Sequence, residues 1–146
     1  MKNLIVKSPA FKNNQKIPSF YTCDGSSVNP PLIIEGTPVE AKSLVLIMDD
    51  PDAPMGTFDH WVVYNIPAKT SSIKEHSSPP GTEGLNSARR VGYTPPCPPS
   101  GTHRYFFKVY ALDNQLDLKS NSRKKDVENA MESHVLAKGE LIGLFR

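Results

Sequence analysis

With 146 residues and only two cysteines, the chain is sized for one domain that can bury a core without disulfide or metal staples. Its formal charge of +2 comes from scattered basic residues, which argues against a nucleic-acid partner; the densest cluster, SRKKD at 122–126, reads as a solvated face or a helix start. No run approaches the ~18 apolar residues of a membrane span.

The first segment, MKNLIVKSPAF, is too weakly apolar for a secretory signal, being interrupted by Lys7 and Pro9; a cytoplasmic protein is expected. NLIVKSPAF reads as a short edge strand ending at Pro9. FYTCDGSSVNPPLIIEG carries an Asp-Gly turn, a proline pair and a short apolar strand around residues 32–34. KSLVLIMDDPDAP is the clearest strand: residues 44–48 are continuously apolar, the mark of a strand covered on both faces. It stops at Asp49-Asp50-Pro51, so a rigid strand feeds a turn rich in carboxylates.

DHWVVYNIP is a second β-branched and aromatic strand, closed by Pro67. Residues 69–90 form a long polar excursion holding Pro79-Pro80-Gly81, with Ile73 and Leu85 among polar neighbours. Four prolines (Pro95, Pro96, Pro98 and Pro99) then lead into HRYFFKVYALD. In that strand Tyr105, Phe107 and Val109 point one way and Arg104, Phe106, Lys108 and Tyr110 the other. One helix is expected in KKDVENAMESHVLAKG, with Val127, Ala130, Met131 and His134 or Val135 on a stripe and Gly139 as its stop. ELIGLFR closes the chain as a strand. Fourteen prolines, roughly twice the usual ~5% share, make long helices elsewhere unfavourable. The pattern is a single, mostly β domain over residues 1–146 with a late helix.

Three polar segments flank rigid strands: Asp50-Pro51-Asp52-Ala53-Pro54, Asp59-His60-Trp61, and Cys97-Pro98-Pro99-Ser100-Gly101-Thr102-His103-Arg104-Tyr105. Several chemistries are open to them. His60, His103 and an aspartate are zinc-ligand types, but there is no local histidine pair. Cys97, His103 and Asp50 are the residue types of a nucleophile triad, but Cys97 sits between prolines instead of at a helix N-terminus that would activate it. Both histidines could also be ordinary hydrogen-bonded core residues. His76 and His134 read as structural. Arg104 either steers anions or pairs with Asp59 or Glu35. Cys23 and Cys97 lack zinc spacing and are expected to be thiols in a reducing cytosol, although their neighbours suggest that they lie close together.

These segments, with SPAF, IPSFYTCDG, HWVVYNIP, CPPSGTHRYFFKVYALD and HVLAKGELIG, run in an order and spacing that resembles the phosphatidylethanolamine-binding (Raf kinase inhibitor-like) protein family, in its compact bacterial branch. The resemblance implies two packed antiparallel sheets with a small anion pocket at one end. Carried over by position, that pocket would use Asp50, His60, His103 and Tyr105, the backbone of Cys97, Pro98 and Pro99, and a floor shaped by Ala53 and Pro54, with Trp61 packed beside it. Imidazole N–H groups, the Tyr105 hydroxyl and backbone N–H groups would hold an oxyanion, while Asp50 would orient a histidine. The X-Pro bonds of DPDAP are candidates for cis isomers.

Two departures stand out: Thr94-Pro95-Pro96 where Gly-Gly-Pro is usual, which alters the donors of the loop, and Ile33 where tryptophan is common. The expected function is non-enzymatic and cofactor-free binding of a small anion or a phospholipid headgroup. The alternative is a regulator that inhibits a protein kinase or protease through its surface. A homodimer is also expected, with the 69–90 excursion covering Ile73 and Leu85 against a symmetric partner.

Overall fold

A computed structural model describes residues 2–146. Ten strands and one helix follow in chain order: β1 (Lys2–Asn3), β2 (Ile5–Lys7), β3 (Gln15–Lys16), β4 (Leu32–Glu35), β5 (Ser43–Asp50), β6 (Phe58–Pro67), β7 (Ser72–Ile73), β8 (Thr82–Glu83), β9 (His103–Leu112), α1 (Lys124–Met131) and β10 (Val135–Phe145). The larger sheet has the order β1-β10-β9-β5-β6-β8, with β3 also on β10; the smaller is β2-β4-β7. Pairing is antiparallel except for β1 and β3, which run parallel to β10. The expectation of two antiparallel sheets thus holds for the long strands and fails for these two-residue ones.

Strand β5 is buried along its whole length, as its continuous apolar run predicts. Leu44, Leu46 and Met48 face the smaller sheet, joining Leu32, Ile34, Trp61, Val63, Tyr105, Phe107 and Val109 in the main core. Val45 and Ile47 face the other way and pack with Val62, Tyr64, Val127 and Met131 under α1. Alternation along the strand assigns the two faces, and each has its own cover.

The helix is shorter than its sequence stripe suggests. It ends at Met131, Ser133 takes a positive φ of 69°, and Val135 already belongs to β10. His134 therefore follows the helix and pairs with Asp113 at 2.8 Å. Gly139 is no helix stop: a Cβ there would collide with the backbone carbonyl of Leu4, so close strand approach selects glycine. The 69–90 excursion is anchored by β7 and β8, and Ile73 is buried in the main core. Ile73 thus needs no symmetric partner to cover it. No peptide bond in the described residues is cis, so the Asp50-Pro51 and Ala53-Pro54 bonds are trans, contrary to expectation. No described helix is long and apolar enough to cross a membrane.

Candidate functional site

The end of β5 and the starts of β6 and β9 lie side by side in the larger sheet, bringing Asp50, His60, His103 and Tyr105 to one edge of the core. A bulge selects which β6 residues face it. Met48 pairs with Trp61, but Asp49 pairs with Asp59 and Asp50 with Phe58, so His60 is the extra residue. An extra residue re-aims side chains locally. Here it puts Phe58 and His60 on the face of Asp50, while Asp59 goes with Asp49 to the opposite face, where Lys124 reaches both at 3.1 and 3.0 Å.

On the Asp50 face lies a cavity of about 250 Å³, lined by Asp50, Ala53, Pro54, Phe58, His60, Thr94, Pro95, Cys97, Pro98, Pro99, His103 and Tyr105. Most of its wall is proline ring, alanine methyl and phenyl carbon; polar atoms are confined to a few side chains. Asp50 Oδ2 accepts the Nδ1 proton of His103 at 2.7 Å, and Asp50 Oδ1 accepts the Asp52 N–H at 2.8 Å. Both side chains of the His103–Asp50 pair are nearly buried, 9% and 4% exposed. The carboxylate thereby fixes the His103 ring and its tautomer and leaves Nε2 toward the cavity.

His60 is held from its other side. Its Nδ1–H donates to the Thr94 carbonyl at 2.7 Å, the Thr94 N–H donates back to the His60 carbonyl at 2.9 Å, and Asn86 Nδ2 donates to Thr94 Oγ1 at 2.9 Å. Burial lowers the His60 pKa, with the Thr94 carbonyl opposing it less strongly. The ring is neutral, so its one proton is spent on Thr94 and Nε2 is an acceptor. Burial, and then the charge of Asp50, raises the Tyr105 pKa, so its hydroxyl remains a proton donor. That hydroxyl and both histidine Nε2 atoms take part in no hydrogen bond among the described residues, and none is sealed from solvent; they border the cavity.

The walls are stiffened from outside. Arg104 binds both oxygens of Asp52 at 2.9 Å and holds that carboxyl at a pKa of about 2. The turn carrying Ala53 and Pro54 is thereby tied to β9. Opposite, Cys97 is joined to Cys23 by a disulfide. The expectation of two thiols is overturned, and their expected proximity explains why: the Cys23 N–H donates to the Pro96 carbonyl at 3.1 Å, holding the two segments in register for the bond.

A model of the phosphatidylethanolamine-binding protein family matches residues 7–146. The chain belongs to that family. A UPF0098 protein of Methanothermobacter thermautotrophicus is 50% identical, the match covering 97% of both chains. The crystal structure of a phosphatidylethanolamine-binding protein homologue from Chlamydia trachomatis superposes with a TM-score of 0.96 at 40% identity, covering 100% of this chain and 99% of that one. YbcL of E. coli, described as a member of the mammalian family, gives 0.90 at 27% identity over 99% and 98%. Archaeal and bacterial proteins are thus both among its relatives.

Within the family fold, nine of the ten expected pocket residues line the cavity. Trp61 does not. It follows the bulged His60, its ring is fully buried in the core against Tyr93, and its Nε1–H donates to Glu83 at 2.9 Å. The backbone donors expected from residues 97–99 shrink to the Cys97 N–H, because Pro95, Pro96, Pro98 and Pro99 have none. Arg104 pairs with Asp52, and neither Asp59 nor Glu35 is its partner; Glu35 meets Lys7 at 3.2 Å. Sequence reading missed Phe58, whose place opposite Asp50 depends on the bulge. It also missed Asn86, which braces Thr94 from the long excursion. Thr94 was visible only as a departure from the family pattern, and the structure makes it the clamp on His60.

Proposed function

We propose that this protein is a non-enzymatic binding protein whose cavity holds a small oxyanion, inorganic phosphate or a phosphoryl headgroup. The observation that carries this reading is the uncommitted trio of His60 Nε2, His103 Nε2 and the Tyr105 hydroxyl inside a largely apolar, braced cavity. Tyr105 supplies an O–H donor. His103 supplies a second, Nε2–H, only in its doubly protonated form, since Asp50 already holds its Nδ1 proton. Exclusion of water by the proline and phenyl walls strengthens both, and the braced loop leaves little to order on binding. Turnover is not part of the proposal: the sulfur of Cys97 is bonded to Cys23 and offers no thiolate nucleophile. Nothing at the site favours the alternative of kinase or protease inhibition.

Neutral His60 narrows the ligand. Its Nε2 asks for a donor, which a singly protonated phosphate or phosphomonoester carries as P–OH and a phosphodiester lacks. Calorimetric titration with methyl phosphate and with dimethyl phosphate tests this. The monoester is expected to bind about tenfold more tightly, the worth of one hydrogen bond. Equal affinities would remove His60 from the ligand's contacts, and no heat with either would remove the binding reading. A cytoplasmic setting is part of the proposal; there the exposed disulfide would meet a continual supply of thiols.

A further inference from the structure

The Cys23–Cys97 bond ties the segment after the turn at Ser19–Tyr21 to the proline wall of the cavity, across 74 residues of sequence. Its two sulfurs have different surroundings. Cys97 is exposed to solvent, whereas Cys23 is half-buried. Arg146 Nη2 stands 3.6 Å from the Cys23 sulfur and 3.2 Å from Asp24 Oδ1, and Asp24 Oδ1 is 3.9 Å from the same sulfur. Arg146 is thus the nearer charge to Cys23, and Asp24 offsets it in part. The polar contacts at the bond are made to the Cys23 sulfur, and none among the described residues is made to the Cys97 sulfur.

Thiol–disulfide exchange proceeds by attack of a thiolate on one sulfur and departure of the other. Access decides which sulfur is attacked, and the stability of the leaving thiolate decides how readily the bond breaks. Both criteria select the same direction here. We propose that Cys97 is a thiol-exchange site for a low-molecular-weight thiol, with Cys23 as the leaving thiolate beside Arg146. The incoming thiolate forms a new S–S bond to Cys97 as the Cys97–Cys23 bond breaks, and the electron pair leaves on Cys23. A second thiolate attacking the outer sulfur of the adduct releases the oxidised small disulfide and Cys97 as a thiolate. In total the protein disulfide gains two electrons and two small thiols are oxidised. The adduct stands at the mouth of the cavity, and its wall loses the covalent tie to Cys23. This consequence for the cavity rests on the binding reading above; the exchange chemistry does not.

The test is incubation of the protein with excess reduced glutathione, acid quench, alkylation of free thiols with N-ethylmaleimide, and peptide mapping by mass spectrometry. Glutathione is expected on Cys97 and maleimide on Cys23. Adduct mainly on Cys23, or divided evenly, overturns the assignment. Arg146→Gln should slow adduct formation about threefold, because a leaving thiolate that has lost its neighbouring cation departs more slowly, and Arg146→Lys should restore most of the rate. An unchanged rate in Arg146→Gln removes Arg146 from the step. Calorimetry with inorganic phosphate then separates the two readings. Binding by the disulfide form that is lost in the Cys97 adduct supports the coupling, and binding unchanged in the adduct overturns it. No binding by the disulfide form sinks the cavity reading while the peptide map still decides the exchange site.

Discussion

Tyr105→Phe removes one oxygen and nothing else. The ring is 1% exposed and fixed by the core, edge-on to His60 at 5.3 Å and stacked on His103 at 6.4 Å, so phenylalanine can keep its place. The hydroxyl has no partner among the described residues, so its loss breaks no internal bond. Stability should therefore change by less than ~1 kcal/mol in either direction, since a buried hydroxyl without a partner contributes little or is a cost. Binding should respond differently. A hydrogen bond to a charged acceptor is worth ~1.5–3 kcal/mol, so phosphate affinity should fall about ten- to hundredfold. Urea unfolding and calorimetric titration with inorganic phosphate read the two quantities separately. Unchanged affinity, or destabilisation beyond ~2 kcal/mol, would refute the reasoning and return Tyr105 to the role of a core residue. His103→Ala is a poorer probe: it strands the buried Asp50 carboxylate, which costs ~3–5 kcal/mol by itself.

Three further outcomes are expected. Because burial depresses the His60 pKa, the unfolded chain takes up that proton near pH ~6.5 while the folded one resists it, so folding stability falls as pH drops below that value. His60→Gln should flatten the fall, and a wild-type-minus-variant difference that is constant with pH contradicts this. Lys124→Met leaves Asp49, whose Oδ1 is already sealed without a partner, supported by Lys108 alone; it should lose about 3 kcal/mol of stability by denaturant unfolding and keep its phosphate affinity. The homodimer now rests on Leu85, bridged to the exposed Val91. Sedimentation equilibrium is expected to show a dimer that Leu85→Asp dissociates, and a single species at 16.1 kDa in the wild type contradicts it.

How far the sequence could be read follows from what each feature depends on. Strand β5 was legible because a short, unbroken apolar run that ends in turn residues belongs inside a sheet covered on both faces; the polar segments holding Asp50, His103 and Tyr105 stood out because they flank rigid strands, and the family resemblance is what joined them in one pocket. The helix end was not: the apolar stripe of 127–135 continues past Met131, but the left-handed turn at Ser133 and the packing of Gly139 against Leu4 claim the later residues for β10. Phe58 was overlooked because strict alternation cannot foresee the bulge at His60, and Trp61, set beside the pocket by the resemblance alone, lies deeper, opposite Met48. The disulfide was hidden by reasoning from compartment, whereas local register decided it. Most consequential is His60, which reads in sequence as an N–H donor to an anion and in three dimensions is an acceptor, because Thr94 takes its proton.

The ring nitrogens themselves test the central claim most directly. Histidine side chains labelled with ¹⁵N, titrated with inorganic phosphate and followed by NMR, report the state of each imidazole. Phosphate is expected to shift Nε2 of His60 and His103, with His60 remaining neutral and accepting a bond, while His76 and His134 stay in place. Shifts confined to His76 and His134, or none at all, would contradict a phosphate-binding cavity on the His103–Asp50 pair.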